Sequence, residues 1–255
     1  MNSDTEQKVQ EQTVDSEQEV IAVTSTTAGN DTSDYGKGAE QRLTGFESSV
    51  TGLKYYLSLP KGYNADGAEK WPLILFLHGS GDRGDDLELI KRSGITNIAE
   101  KDGLKFIAVY PQCPDNSEWE EMTATISDFL DELTGSLRVD EGRVYITGFS
   151  MGGYGTWYMA LEYPDRFAAI APVCGSIFEQ DVNQENADSL RNLPIWAFHG
   201  GKDTIVPPEV EKNFVELIQK AGGNVKYTAY DDLGHDIWVQ AYNDELYDWL
   251  LQQKR

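Results

Sequence analysis

Short, nearly unbroken apolar runs recur along the chain at residues 73–77, 106–110, 144–147, 168–173 and 195–198. Runs this short, with no polar residue on every second position, predict strands buried on both faces, as in a parallel sheet covered by helices. Residues 225–230 predict a further strand. Residues 53–59 alternate in part and read as an early or edge strand, closed by Pro60 and the turn residues Gly62, Asn64 and Gly67.

Between these runs the apolar spacing lengthens to a helical period at about 86–101, 122–133, 151–162, 208–221 and 236–252. Pro208 suits the first turn of a helix, and Gly222-Gly223 suits a helix end. Pro164 disfavours helical backbone in the residue before it, so the helix from 151 should stop there. Strand and helix alternate throughout, which predicts an α/β fold: a three-layer sandwich around a mostly parallel central sheet. Residues 1–40 are different. They are rich in Gln, Glu, Ser, Thr and Asp and nearly free of aromatic residues, a composition that cannot bury enough apolar surface to offset its ordering entropy. The expected organisation is therefore an acidic, disordered tether over 1–40 and one catalytic domain over 41–255.

Charge narrows the partners. The formal net charge is -22, and the first forty residues hold nine acidic against two basic side chains, so the remainder carries -15. Such a surface repels phosphates and anionic membranes, and no basic run offsets it, which sets nucleic-acid binding aside. No apolar run approaches the roughly 20 residues of a membrane span. The start lacks the basic and apolar parts of a signal peptide. Its polar opening would suit the tether of an exported, lipid-anchored protein whose leader has been removed; a cytoplasmic location is the other reading.

One motif gives the pattern a chemistry. Gly148-Phe149-Ser150-Met151-Gly152 follows the apolar run 144–147 and opens the helix from 151, the strand–turn–helix setting of a nucleophile elbow. A serine hydroxyl needs a base to remove its proton. In this arrangement the chain order is serine, acid, histidine. Of three histidines, His199 and His235 follow Ser150. His199 precedes any good acid, and a packing or hydrogen-bonding place is expected for it. His235 lies in a loop between the last strand and the last helix, and is the expected base. Asp203, in the loop after the run 195–198, is the expected acid, which would fix the tautomer of His235 and stabilise its imidazolium. Asp231 and Asp232 are the runners-up, too near His235 in sequence for the usual geometry. Two backbone N–H groups should receive the oxyanion: that of Met151, and that of Ser80 in His78-Gly79-Ser80-Gly81, with Gly81 as the alternative. His78 is expected to orient this loop. No phosphate loop, dinucleotide motif, His-Glu-x-x-His or Cys-x-x-Cys occurs, so no cofactor or metal is expected.

These stretches, with Tyr110-Pro111-Gln112-Cys113-Pro114, His199-Gly200-Gly201-Lys202-Asp203 and Gly234-His235-Asp236-Ile237-Trp238, resemble a bacterial branch of the α/β-hydrolases. That branch includes predicted peptidases and phospholipase/carboxylesterase-like proteins, and is similar to feruloyl and acetylxylan esterases. The likeness covers roughly residues 45–252. It implies an α/β-hydrolase fold, the triad Ser150–Asp203–His235, and free thiols at Cys113 and Cys174 near strand ends.

Caps in this fold are commonly inserted after the strand that follows the nucleophile helix. The stretch from 174 to 193 is short and polar, so little or no cap and an open cleft are expected. Trp119 and Trp238 could flank the acyl or sugar moiety, or pack in the core. The expected activity is a serine carboxylesterase acting on short-acyl or carbohydrate-linked esters. A serine peptidase and a non-catalytic binding protein on the same scaffold are the alternatives.

Overall fold

The apolar runs do become the buried strands of one sheet. A computed structural model describes residues 43–92 and 104–255. The expected tether, 1–40, lies outside the described residues. The sheet has eight strands: β1 (Thr44–Glu47), β2 (Lys54–Ser58), β3 (Trp71–Leu77), β4 (Ile107–Pro111), β5 (Val139–Phe149), β6 (Ala169–Val173), β7 (Ile195–Gly200) and β8 (Val225–Tyr230). Their order is β1-β2-β4-β3-β5-β6-β7-β8. The pairs β1–β2 and β2–β4 are antiparallel, and every other neighbouring pair is parallel.

The central strands β3, β4, β6 and β7 have almost no solvent face because helices cover both sides. On β3, Leu73, Leu75 and Leu77 belong to one apolar cluster with Phe129, Trp157 and Phe214. These three come from α2 (Thr123–Ser136), α3 (Met151–Glu162) and α5 (Pro208–Lys220). Ile74 and Phe76, pointing the other way, join a second cluster with Leu246 and Leu250 of α7 (Asp244–Gln252). Alternate residues of one strand thus serve two cores, which is why the run reads as continuously apolar.

One helix expectation changes, and another is described only in part. The span 86–101 yields α1 (Glu88–Arg92), and residues 93–103 lie outside the described residues. The span 236–252 is two helices, α6 (Trp238–Ala241) and α7, separated at Tyr242–Asn243. Asn243 is extended and its side chain accepts from Leu246 N–H at 3.0 Å, so an N-cap restarts the helix there. The stretch 174–193 forms a single turn and the short α4 (Gln184–Ser189), too little chain for a large cap. No helix among the described residues is long and apolar enough to cross a membrane.

Candidate active site

Ser150 sits where β5 ends and α3 begins, in a conformation few non-glycine residues adopt: φ 57°, ψ -118°. Strain of this kind costs about 1–3 kcal/mol and persists only where the surroundings over-determine it. The surroundings here are two glycines. A Cβ on Gly148 would stand 2.2 Å from the Gly152 carbonyl oxygen, and one on Gly152 would stand 1.9 Å from that of Leu77. The turn is closed against its neighbours by backbone alone, and Ser150 N–H is tied to the Val173 carbonyl at 2.9 Å. The hydroxyl is left at the C-terminal edge of the sheet.

There it meets His235. Ser150 Oγ and His235 Nε2 are 2.8 Å apart, and His235 Nδ1 is 2.7 Å from Asp203 Oδ2. The other Asp203 oxygen, Oδ1, accepts from the N–H groups of Ile205 and Val206, each at 2.9 Å. Burial works against the Asp203 charge, but the His235 hydrogen bond and the two N–H donors outweigh it and hold the carboxyl below the usual aspartate range. An ionised Asp203 requires that His235 Nδ1 carry the proton, which leaves Nε2 to accept from the serine. Cys174 holds the histidine loop from behind, its thiol donating to the His235 carbonyl at 3.1 Å. The side chains of Asp231 and Asp232 are exposed, and Asp232 pairs instead with Lys202 at 2.8 Å.

The loop after β3 closes in from the other side. A Cβ on Gly79 would lie 3.6 Å from Ser150 Cβ, and Ser80–Asp82 form one 3₁₀ turn. His78 is almost fully buried, and its Nε2 accepts from Cys113 N–H at 2.9 Å while Nδ1 donates to the Gly79 carbonyl at 2.7 Å. Burial lowers its pKa to about 4, so it is a neutral clamp on this loop. Met151 begins α3, so its N–H has no carbonyl one turn back to bond.

A cleft of about 240 Å³ opens at Ser150, lined also by Glu118, Glu120, Met151, Tyr154 and Phe178. Glu118 is paired with Arg83 at 2.5 Å, and burial raises the pKa of Glu120. Tyr154 and Phe178 lie 5.8 Å apart, tilted. The expected flanking role of Trp119 is corrected: it is fully buried, belongs to the core beneath α3, and donates Nε1–H to the His78 carbonyl at 2.9 Å. It supports the loop and does not face the cleft. Trp238 is half-buried against the second core and does not line the cleft either. Of the four lining residues not singled out from the sequence, two left a faint signal. Tyr154 is one helical turn beyond Ser150, and Phe178 is the one aromatic residue in an otherwise polar stretch.

Cys174, His199 and Asp203 offer donor atoms within 4.8 Å of one another, the spacing of a metal site. Each is already committed: the thiol to the His235 carbonyl, both His199 nitrogens to Glu211 and Val206, and Asp203 to His235. Cys113 and Cys174 are free and buried, and burial pushes the Cys113 thiol up to about 12.

The phospholipase/carboxylesterase family model matches residues 106–246, more than half of the chain, from β4 into the first turn of α7. The chain belongs to this family. Its fold matches that of a solved thermostable esterase with a TM-score of 0.71, at 31% identity, over 84% of this chain and 63% of the other. The chain is 29% identical over 151 residues to the bifunctional acetylxylan esterase/xylanase XynS20E of Neocallimastix patriciarum, covering 57% of this chain and 21% of that protein. It is 26% identical over 239 residues to feruloyl esterase B of Thermothelomyces thermophilus, covering 72% and 78% respectively. The first curated relatives it matches are longer proteins, of which the chain covers 21% to 41%.

Proposed function

We propose that this chain is a serine carboxylesterase that takes the acyl group of short or carbohydrate-linked esters onto Ser150 Oγ. One observation carries the reading: the unbroken hydrogen-bond chain from Ser150 through His235 to Asp203 at the edge of a cleft. As Oγ attacks the ester carbonyl, His235 Nε2 takes its proton, and Asp203 stabilises the imidazolium that forms. The N–H groups of Met151 and Ser80 receive the oxyanion. When the tetrahedral intermediate collapses, His235 returns the proton to the departing alcohol. Water, deprotonated by the same histidine, then frees the acid and restores the serine.

The cleft supports a small acyl group. Its 240 Å³ is below the roughly 300–1,000 Å³ of ordinary small-molecule sites, so a long chain would extend into solvent. Tyr154 and Phe178 give one aromatic wall, suited to an acetyl group or a single ring. Three exposed apolar side chains, Phe178, Ile205 and Val239, lie on the loops and helix that follow β6, β7 and β8, the edge where a bulky alcohol would approach. The names of relatives, an acetylxylan esterase and feruloyl esterases, agree with carbohydrate-linked esters.

The test is a panel of p-nitrophenyl acetate, butyrate and octanoate, methyl ferulate, and a peptide p-nitroanilide, run on wild type and Ser150→Ala. Turnover of the acetate or ferulate ester that vanishes in the variant supports the proposal. Preference for the anilide, or ester turnover that survives the substitution, contradicts it.

A further inference from the structure

Asp203 has a second histidine beside it. His199 Nε2 lies 3.3 Å from Asp203 Oδ2, the same oxygen that accepts from His235. His199 lies at the penultimate position of β7, is fully buried, and donates Nε2–H to the Val206 carbonyl at 2.8 Å. Its Nδ1 meets Glu211 Oε2 on α5 at 2.6 Å. Glu211 is fully buried too, and its other oxygen accepts from Trp157 Nε1 on α3 at 2.9 Å. A carbonyl can only accept, so Nε2 must keep its proton, and that N–H stands on the Asp203 side. Two buried, mutually bonded ionisable groups are costly to a core, and replacing such pairs with apolar residues is often neutral or stabilising. Their presence against the acid of the site points to a task beyond holding the fold.

We propose that the His199–Glu211 pair is a positioning element for Asp203, drawing its negative charge away from His235. The inference rests on the triad reading above. Burial disfavours charge on His199, but the Glu211 carboxylate, the Val206 carbonyl and Asp203 outweigh it and raise its pKa. Burial raises Glu211 against the hydrogen bonds of His199 and Trp157, so the pair retains one shared proton. The other ionisable groups facing this cluster are the Cys174 thiol beyond β6, Tyr154 on α3 and Tyr227 on β8, all held neutral by burial. The positive end of the pair therefore lies toward Asp203. His199 Nε2–H is spent on the Val206 carbonyl, so the pair acts on Asp203 Oδ2 through its charge, from 3.3 Å. Removing that charge should leave more of the Asp203 negative charge on the His235 imidazolium formed during proton transfer.

With three histidines in the chain, nitrogen NMR of the labelled protein can follow each ring and needs no turnover. In wild type, His199 Nε2 is expected to keep its proton from about pH 5 to about pH 9. In Glu211→Gln, which keeps hydrogen-bonding capacity without the charge, and in His199→Gln, His235 should titrate about one pH unit higher. The acid limb of kcat/KM for p-nitrophenyl acetate should move with it. A merely structural pair would lower the melting temperature and kcat with the limb unmoved. An unchanged or lowered His235 titration in a folded variant overturns the proposal. So does a His199 Nε2 without its proton in wild type, which decides the matter even if neither variant folds. Absence of any ester turnover would count against the esterase reading alone, because the NMR titration is independent of it.

Discussion

Gly152 and Leu77 meet backbone to backbone: a Cβ on residue 152 would stand 1.9 Å from the Leu77 carbonyl oxygen. The helix that begins beside Ser150 is thereby seated against the strand that launches the opposing loop. Gly152→Ala is expected to lose at least the 1–3 kcal/mol of an overpacked core, about that much being typical, and to displace Ser150 from His235. Thermal unfolding and ester turnover would check both; a variant with unchanged melting temperature would refute the close approach.

His78 makes stability depend on pH. Its folded pKa, about 4, is lower than that of a free histidine, so the unfolded chain binds the extra proton first. Its contribution is complete above about pH 6.5 and is lost as pH falls toward 4, amounting to about 3 kcal/mol. Urea unfolding across that range should show the decline in wild type. In His78→Gln the slope over the same range should be shallower.

The cleft wall is expected to act on binding. Phe178→Ala should raise KM for methyl ferulate about threefold to tenfold, consistent with about 1 kcal/mol of lost aromatic contact, and leave acetate turnover within twofold. Trp119→Phe removes the hydrogen bond to the His78 carbonyl and should lower stability by about 1–3 kcal/mol without reordering the substrate panel. Steady-state kinetics on the same panel separates the two.

Buried thiols should be silent. Cys113 and Cys174 are fully buried with raised pKa, so the native protein should not react with a thiol reagent near neutral pH, and both should react after unfolding. Rapid labelling of the native state would contradict this packing.

How much of this could be read in advance depended on how local each cause is. The elbow at Ser150 was legible because its glycines, the strand before it and the helix after it are contiguous. The places of Asp203 and His235 followed from chain order and from the loops after β7 and β8. Trp119 misled because loop position suggested exposure, whereas its burial comes from α3, more than thirty residues further on. Phe178 reaches the cleft only when the stretch after β6 folds back, and Glu211 reaches His199 only when α5 packs on β7, contacts no local pattern encodes. The break at Asn243 was missed because α6 and α7 share one apolar period, and a single N-cap separates them.

If Ser150 is the acylated nucleophile, covalent trapping will find the label on it. Wild type would be treated with a fluorophosphonate and the modified peptide located by mass spectrometry, beside Ser150→Ala and His235→Ala. One adduct is expected, on Ser150, absent in the first variant and formed at least a hundredfold more slowly in the second, given the roughly 10²–10⁴-fold contribution of general-base catalysis. A folded wild type that takes no label, or takes it on another residue, would contradict it.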